Sequence, residues 1–213
     1  MSKIPPVKGR QVVDRRVNPP VEAESILENG LTGTAIVPSG ASTGRHEAHE
    51  LRDNNKDYLN KSVFDAVNNI NNKISKTLIN KNSKDQSEVD KILINLDGTE
   101  NKSNIGANAI LAVSIANLKA AAKFDNKEIY RFINNKTNPA FFMPYPLMMI
   151  SNGGAHANNS LEIQEFMSRP DGAKNFKECM QMSFLVIQNL KKNLEDKNIS
   201  TSVGDEGGFA PSL

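Results

Sequence analysis

Three polar, glycine-rich stretches hold the residues best suited to chemistry. The first is Pro38-Ser39-Gly40-Ala41-Ser42-Thr43-Gly44. Its glycines permit tight backbone geometry, and its hydroxyls could reach a phosphate or a metal ion. It is not a Walker loop, because the spacing differs and no lysine follows the second glycine. The second stretch is Asn152-Gly153-Gly154-Ala155-His156-Ala157, followed by Gln164-Glu165-Phe166. A loop histidine near a strand carboxylate could do acid-base work or hold a metal. The third is Gly204-Asp205-Glu206-Gly207-Gly208, two adjacent acids between glycines, which suits a carboxylate presented on a loop. Taken singly, each stretch reads better as an ordinary polar turn or a solvated loop side chain.

Gln164 and Glu165 impose a geometric condition. Side chains alternate along a strand, so neighbours point to opposite faces. Both can serve one site only if the strand ends or bulges there.

The elements that must position these residues follow from periodicity. Gln11 to Val13, Val21 to Leu27 and Leu31 to Val37 read as strands, the last two joined by Glu28-Asn29-Gly30, a hairpin signal. Helical spacing then takes over at Val63, Val67, Ile70 and Ile74, and again at Val89 with Ile92 or Leu93. An Ala-rich helix is predicted from about Gly106 to Lys123. Strands followed by helices predict an α+β domain over 1–139, with the boundary in Asn135–Pro139.

Over 140–213 the order changes. Pro146 to Ile150 and Leu161 to Met167 are strand-like, and Ser200 to Val203 could be a third strand. Between them Phe176, Met180, Phe184, Ile187, Leu190 and Leu194 mark a long amphipathic helix. This alternation predicts a β/α layer with some parallel pairing. A closed eight-stranded barrel needs about 200 residues or more. The stretch is thus expected to be a small open sheet or a truncated part of a larger domain.

Composition narrows the function classes. At 38% hydrophobic and 23% charged the chain is an ordinary globular protein. A net charge of +2, with the cations scattered among nearly as many acids, leaves no basic stripe for nucleic acid. No apolar run approaches the ~20 residues that span a bilayer. Met1 to Arg10 has no apolar core of a secretory leader. A cytoplasmic location without membrane contact is expected. Cys179 is the one cysteine, so no intrachain disulfide forms; among Met180, Met182 and Phe184 it reads as a small buried hydrophobe rather than a reactive thiol.

Together the motifs resemble the enolase family, in the family's order and over essentially the whole chain. Val37 to Gly44, continuing through Glu47-Ala48 to Glu50-Leu51-Arg52-Asp53, resembles its mobile first loop. Leu96-Asp97-Gly98-Thr99-Glu100-Asn101-Lys102-Ser103 with Gly106-Ala107-Asn108-Ala109 resembles the lead into its Ala-rich helix. The Asn152, Gln164 and Gly204 stretches are similar to its further signatures. The resemblance implies an N-terminal α+β domain and the first elements of a TIM-like β/α barrel. It also implies a lyase of glycolysis, the Mg2+-dependent dehydration of 2-phosphoglycerate to phosphoenolpyruvate, with two Mg2+ per site. It implies Glu206 as general acid, Glu165 as its assistant, His156, Gln164, Gly40 and Ala41 as substrate-binding residues, and Ser42 as a ligand of the second, catalytic magnesium.

The family's acidic ligands for its structural magnesium, its lysine base and its phosphate-gripping arginine come from later strands and have no counterpart here. The chain alone is therefore expected to be inactive. A non-catalytic remnant or binding module is the alternative, and a half-enzyme completed by a separate chain is a third. Where the family reads Asp-Ser-Arg-Gly-Asn-Pro-Thr-Val-Glu, this chain has Asp14-Arg15-Arg16-Val17-Asn18-Pro19-Pro20-Val21-Glu22. If Val17 replaces a glycine of positive φ, it is strained. Pro5, Pro6 and Pro20 remove strand donors. The family's homodimer interface lies here, so the departures weaken the expectation of a homodimer.

Overall fold

The computed structural model describes residues 2–40, 42–54, 56–134 and 140–213. The expected boundary at Asn135–Pro139 and the candidate Ala41 lie outside the described residues. The chain divides into two compact units: Met1–Gly40 with Gly44–Pro139, and Ala41–Thr43 with Ala140–Leu213.

The first unit opens with an antiparallel meander of β1 (Lys8–Gln11), β2 (Val21–Ile26) and β3 (Thr32–Val37). The register pairs Gln11 with Val21 and Val21 with Val37. Alternation sorts β2 as a half-buried strand requires. Val21, Ala23 and Ser25 are buried, while Glu22 and Glu24 face outward and pair with Arg10. The first strand lies earlier than the expected Gln11 to Val13. Pro19 and Pro20 offer no N–H, so the regular ladder ends opposite them. One further bond, Val12 N to Pro20 O at 3.1 Å, leads into a loop closed by Asp14 N donating to Asn18 O at 3.0 Å. Within it Val17 has a φ of 60° and is 79% exposed, so the strain foreseen for a β-branched residue is present.

Helices cover this sheet. A continuous helical stretch comprises α1 (Phe64–Asn69), a π-helical turn at Ile70–Ile74 and α2 (Ser75–Leu78). It buries Ala66, Val67, Ile70, Ile74 and Leu78, and Val63 just before it is buried too. Next comes α3 (Gln86–Asp97), where the Asp85 carboxylate accepts the Glu88 N–H at 3.0 Å, a side-chain N-cap. The Ala-rich segment forms α4 (Ala107–Phe124), and α5 (Ile129–Ile133) follows. Ala109, Ala112, Val113, Ala116 and Ala120 of α4 are fully buried. Small side chains let the helix approach closely: a Cβ on Gly33 of β3 would run into Ala116 O and Ala120 N. Lys119 and Lys123 donate to Thr34 O and Thr32 O at 2.9 and 2.6 Å, tying α4 to β3.

Two carboxylates lock the connections. Asp53 accepts the Ser62 hydroxyl at 2.6 Å and the N–H groups of Phe64 and Asp65 at 2.8 Å, capping α1 from a distant loop. Asp97 is 2% exposed and accepts the Ile105 N–H at 2.7 Å, the Thr99 N–H at 3.0 Å and the Thr99 hydroxyl. Burial by itself would raise both carboxyls, but these donors outweigh it and hold each below the ordinary carboxylate range.

The second unit contains β4 (Met148–Asn152), β5 (Glu165–Ser168) and α6 (Phe176–Asp196). The two strands pair antiparallel, with an irregularity between Met149 and Ser151. Among the described residues the expected parallel pairing is confined to one bridge, between Ser151 and Phe209. Both strands start later than the sequence pattern suggested. Pro146 cannot donate at the start of β4. The carbonyls of Leu161 and Gln164 close a loop instead, accepting from Gly154 and Gly153 at 2.8 and 2.9 Å. Ser200 to Val203 forms no strand; Val203 makes a single bridge with Phe209. On α6, Cys179 is buried as expected, whereas Phe184, Leu185 and Val186 are exposed. No helix among the described residues is long and apolar enough to cross a membrane.

Candidate functional site

The site lies in the second unit, where β4 ends. After Asn152 the chain passes through Gly153 into a short helical turn, Gly154–His156. A Cβ on Gly153 would lie 2.5 Å from Ile163 O and 2.6 Å from Leu161 Cβ, so glycine lets the two segments touch. In the turn that follows, His156 is 5% exposed.

The segment that returns from the turn brings Gln164 to His156, with the amide Nε2 within hydrogen-bond reach of the imidazole Nε2. The strand β5 starts one residue later, at Glu165. Gln164 therefore precedes the regular strand, and the alternation rule does not separate it from its neighbour. The geometric condition set by the sequence is met by an end of the strand.

The third motif is laid against the first two by its backbone. Asp205 N donates to His156 O at 2.9 Å, Gly208 N to the Asn152 side-chain oxygen at 3.0 Å, and Phe209 N to Ile150 O at 3.0 Å. Asn152 N donates to Phe209 O at 2.9 Å. Glu206 is thereby placed with Oε1 at 3.6 Å from His156 Nδ1. One ligand-type atom each from His156, Glu165 and Glu206 lies within 4.8 Å of the others.

Two atoms of this group are buried and have no hydrogen-bond partner among the described residues: His156 Nδ1 and Glu165 Oε2. Unsatisfied buried polar atoms are costly and mark positions where a ligand or a moving proton completes the bonding. Glu206 is more open, with its side chain 40% exposed. The arrangement is a buried imidazole and two carboxylates around a small space, one carboxylate reaching solvent. It can present a carboxylate to a ligand from the open side, or bind a cation.

Gly40 and Ser42 are exposed in the loop after β3, and Ala41 is outside the described residues. Asn152 was present in the sequence motif but was not singled out as a site residue. It is fully buried and joins the turn of His156 to the loop of Glu206. Its position just before two glycines at a strand end was the available signal.

Comparison with known proteins agrees with these motifs. The family model of the enolase N-terminal domain matches residues 4–133, and that of the enolase C-terminal TIM barrel domain matches residues 140–213. The chain belongs to the enolase family. A curated protein of Pelagibacter ubique (strain HTCC1062), named Enolase, is 59% identical over 214 residues. That alignment covers 100% of this chain and 50% of the relative, so the chain spans about half the relative's length. In enolase terms the first unit is the N-terminal domain, and the second is the start of the TIM barrel domain. The antiparallel β4–β5 pair is the opening of that barrel segment.

The family's magnesium can be tested against the donors present. Mg2+ takes six oxygen ligands at about 2.0–2.1 Å. The deepest donor of the cluster is an imidazole nitrogen, a poor ligand for a hard ion that prefers oxygen. This set does not fit a resident magnesium ion.

Proposed function

We propose that this chain supplies the acid side of the enolase reaction, the dehydration of 2-phosphoglycerate to phosphoenolpyruvate, as part of a cytoplasmic glycolytic lyase. Convergence of His156, Glu165 and Glu206, atoms within 4.8 Å of one another, is the observation that carries this reading. In this reaction a C–H bond beside the substrate carboxylate breaks, a C–C double bond forms, and the neighbouring hydroxyl leaves as water. The departing oxygen needs a proton. Glu206, the more exposed acid, delivers it from the open side of the cluster. Glu165 stands behind as a second carboxylate. His156, held by Gln164, orients the substrate through its inward nitrogen.

The base is a separate matter. The cluster of His156, Glu165 and Glu206 contains no lysine to take the proton beside the carboxylate. Loss of a general base alone costs typically about 10²–10⁴-fold. The 213-residue chain by itself is therefore expected to be inactive.

The test compares two purified proteins: this chain, and a chimera joining it to the remaining half of the Pelagibacter relative. Phosphoenolpyruvate formation by the chimera, with none by the chain alone, supports the reading. A folded chimera that leaves 2-phosphoglycerate unchanged overturns it.

A further inference from the structure

The distance between His156 Nδ1 and Glu206 Oε1 does not suit a hydrogen bond. At 3.6 Å it is longer than any normal N–H to oxygen contact. It does suit two ligands of one small transition-metal ion. Atoms each about 2.0–2.2 Å from a tetrahedral zinc stand about 3.3–3.6 Å apart. Glu165 offers a buried oxygen that also has no hydrogen-bond partner, and the three ligand atoms lie within 4.8 Å. Small rotations of the glutamate side chains close the wider gap.

A cluster of acids alone would carry little, but the imidazole is a second and independent observation. His156 is 5% exposed, and its Nδ1 is buried, unpartnered and aimed at the carboxylates. Its other ring nitrogen meets the Gln164 amide. A half-turn of that amide presents its oxygen to an Nε2–H, which leaves the Nδ1 lone pair directed into the cluster. Metal-binding histidines are oriented in this way by a partner on the far nitrogen.

We infer that His156, Glu165 and Glu206 form a zinc-type site, three protein ligands with the fourth position open to solvent. This inference uses the same side chains as the proposed reaction but does not depend on it. One imidazole with two carboxylates is a donor set for zinc and its borderline neighbours, and a poor one for magnesium. The two carboxylate charges offset the ion's charge. Ligation here withdraws Glu206 from proton delivery, so a zinc-loaded site is closed to the dehydration.

Zn2+ titration of the purified chain by calorimetry tests this. His46 and His49 are exposed beside Glu47 and could bind zinc themselves, so the work is done in a His46→Ala, His49→Ala background. One Zn2+ binds per chain, and excess Mg2+ does not displace it. His156→Ala abolishes binding, Glu206→Gln weakens it at least tenfold, and Gln164→Ala weakens it about 10–100-fold through loss of the orienting partner. Because buried His156→Ala could unfold the unit, the more exposed Glu206→Gln decides the matter. Unchanged zinc affinity in Glu206→Gln, or no zinc binding by the background protein, overturns the site. Either result leaves the activity of the chimera as a separate reading of the proposed reaction.

Discussion

His156 Nδ1 faces Glu206 Oε1 at 3.6 Å, although the two residues are carried by different loops and joined by backbone contacts rather than by a hydrogen bond of their own. In the proposed reaction this spacing leaves the glutamate free to meet a substrate hydroxyl. In the chimera with the rest of the barrel, Glu206→Gln should lower kcat by about 10²–10⁴-fold, the usual loss for a general acid. Steady-state kinetics with 2-phosphoglycerate checks it. A kcat within threefold of the parent would remove Glu206 from the acid role.

Val17 holds a left-handed backbone conformation that β-branched residues avoid. It is also solvent-exposed, so little packing is lost on truncation. Val17→Gly is expected to stabilise the first unit by about 1 kcal/mol. Urea unfolding followed by circular dichroism reads this directly. A lower midpoint would show that the glycine's entropy cost exceeds the strain relieved.

Gly33 lies against the backbone of α4, where no side chain fits. Gly33→Ala must separate β3 from the helix or distort it. We expect a loss of about 1–3 kcal/mol, typical of overpacking. The same urea titration measures it, and a change below about 0.5 kcal/mol, the scatter of surface substitutions, would contradict the close approach.

Asp97 is held below the ordinary carboxylate range despite burial, by the Thr99 hydroxyl and the Ile105 and Thr99 N–H groups. A depressed folded-state pKa contributes stability that is complete above the unfolded value of about 3.9 and fades as pH falls through the folded value. Asp97→Asn should cost about 1–3 kcal/mol at neutral pH, since the donors lose a charged acceptor. It should also flatten the acid side of the stability curve. Unfolding midpoints measured between neutral and strongly acid pH show whether both effects occur.

Local rules in the sequence specified much of this molecule. The apolar spacing from Val63 to Ile74 produced a helix, and the Ala-rich run produced α4 within a residue at each end. Glu28-Asn29-Gly30 produced the turn between β2 and β3. His156, Gln164, Glu165 and Glu206 were visible as candidates because their motifs resemble one family in one order. Periodicity reports a residue's own neighbours, and it works where the element's burial is decided locally.

Tertiary structure decided the rest. Parallel pairing was inferred from the order of elements, but β4 and β5 pair antiparallel because the loop after Gly153 turns the chain straight back. The π-helical turn at Ile70–Ile74 left no mark in the spacing, since both isoleucines face the core either way. Asn152 looked like part of a turn, and only the folded chain shows it holding the loop of Glu206. The union of His156 with two carboxylates depends on contacts between residues about fifty positions apart, which no local pattern encodes. Sequence named the reactive groups; their mutual distances arose from where the backbone could bury its own polar atoms.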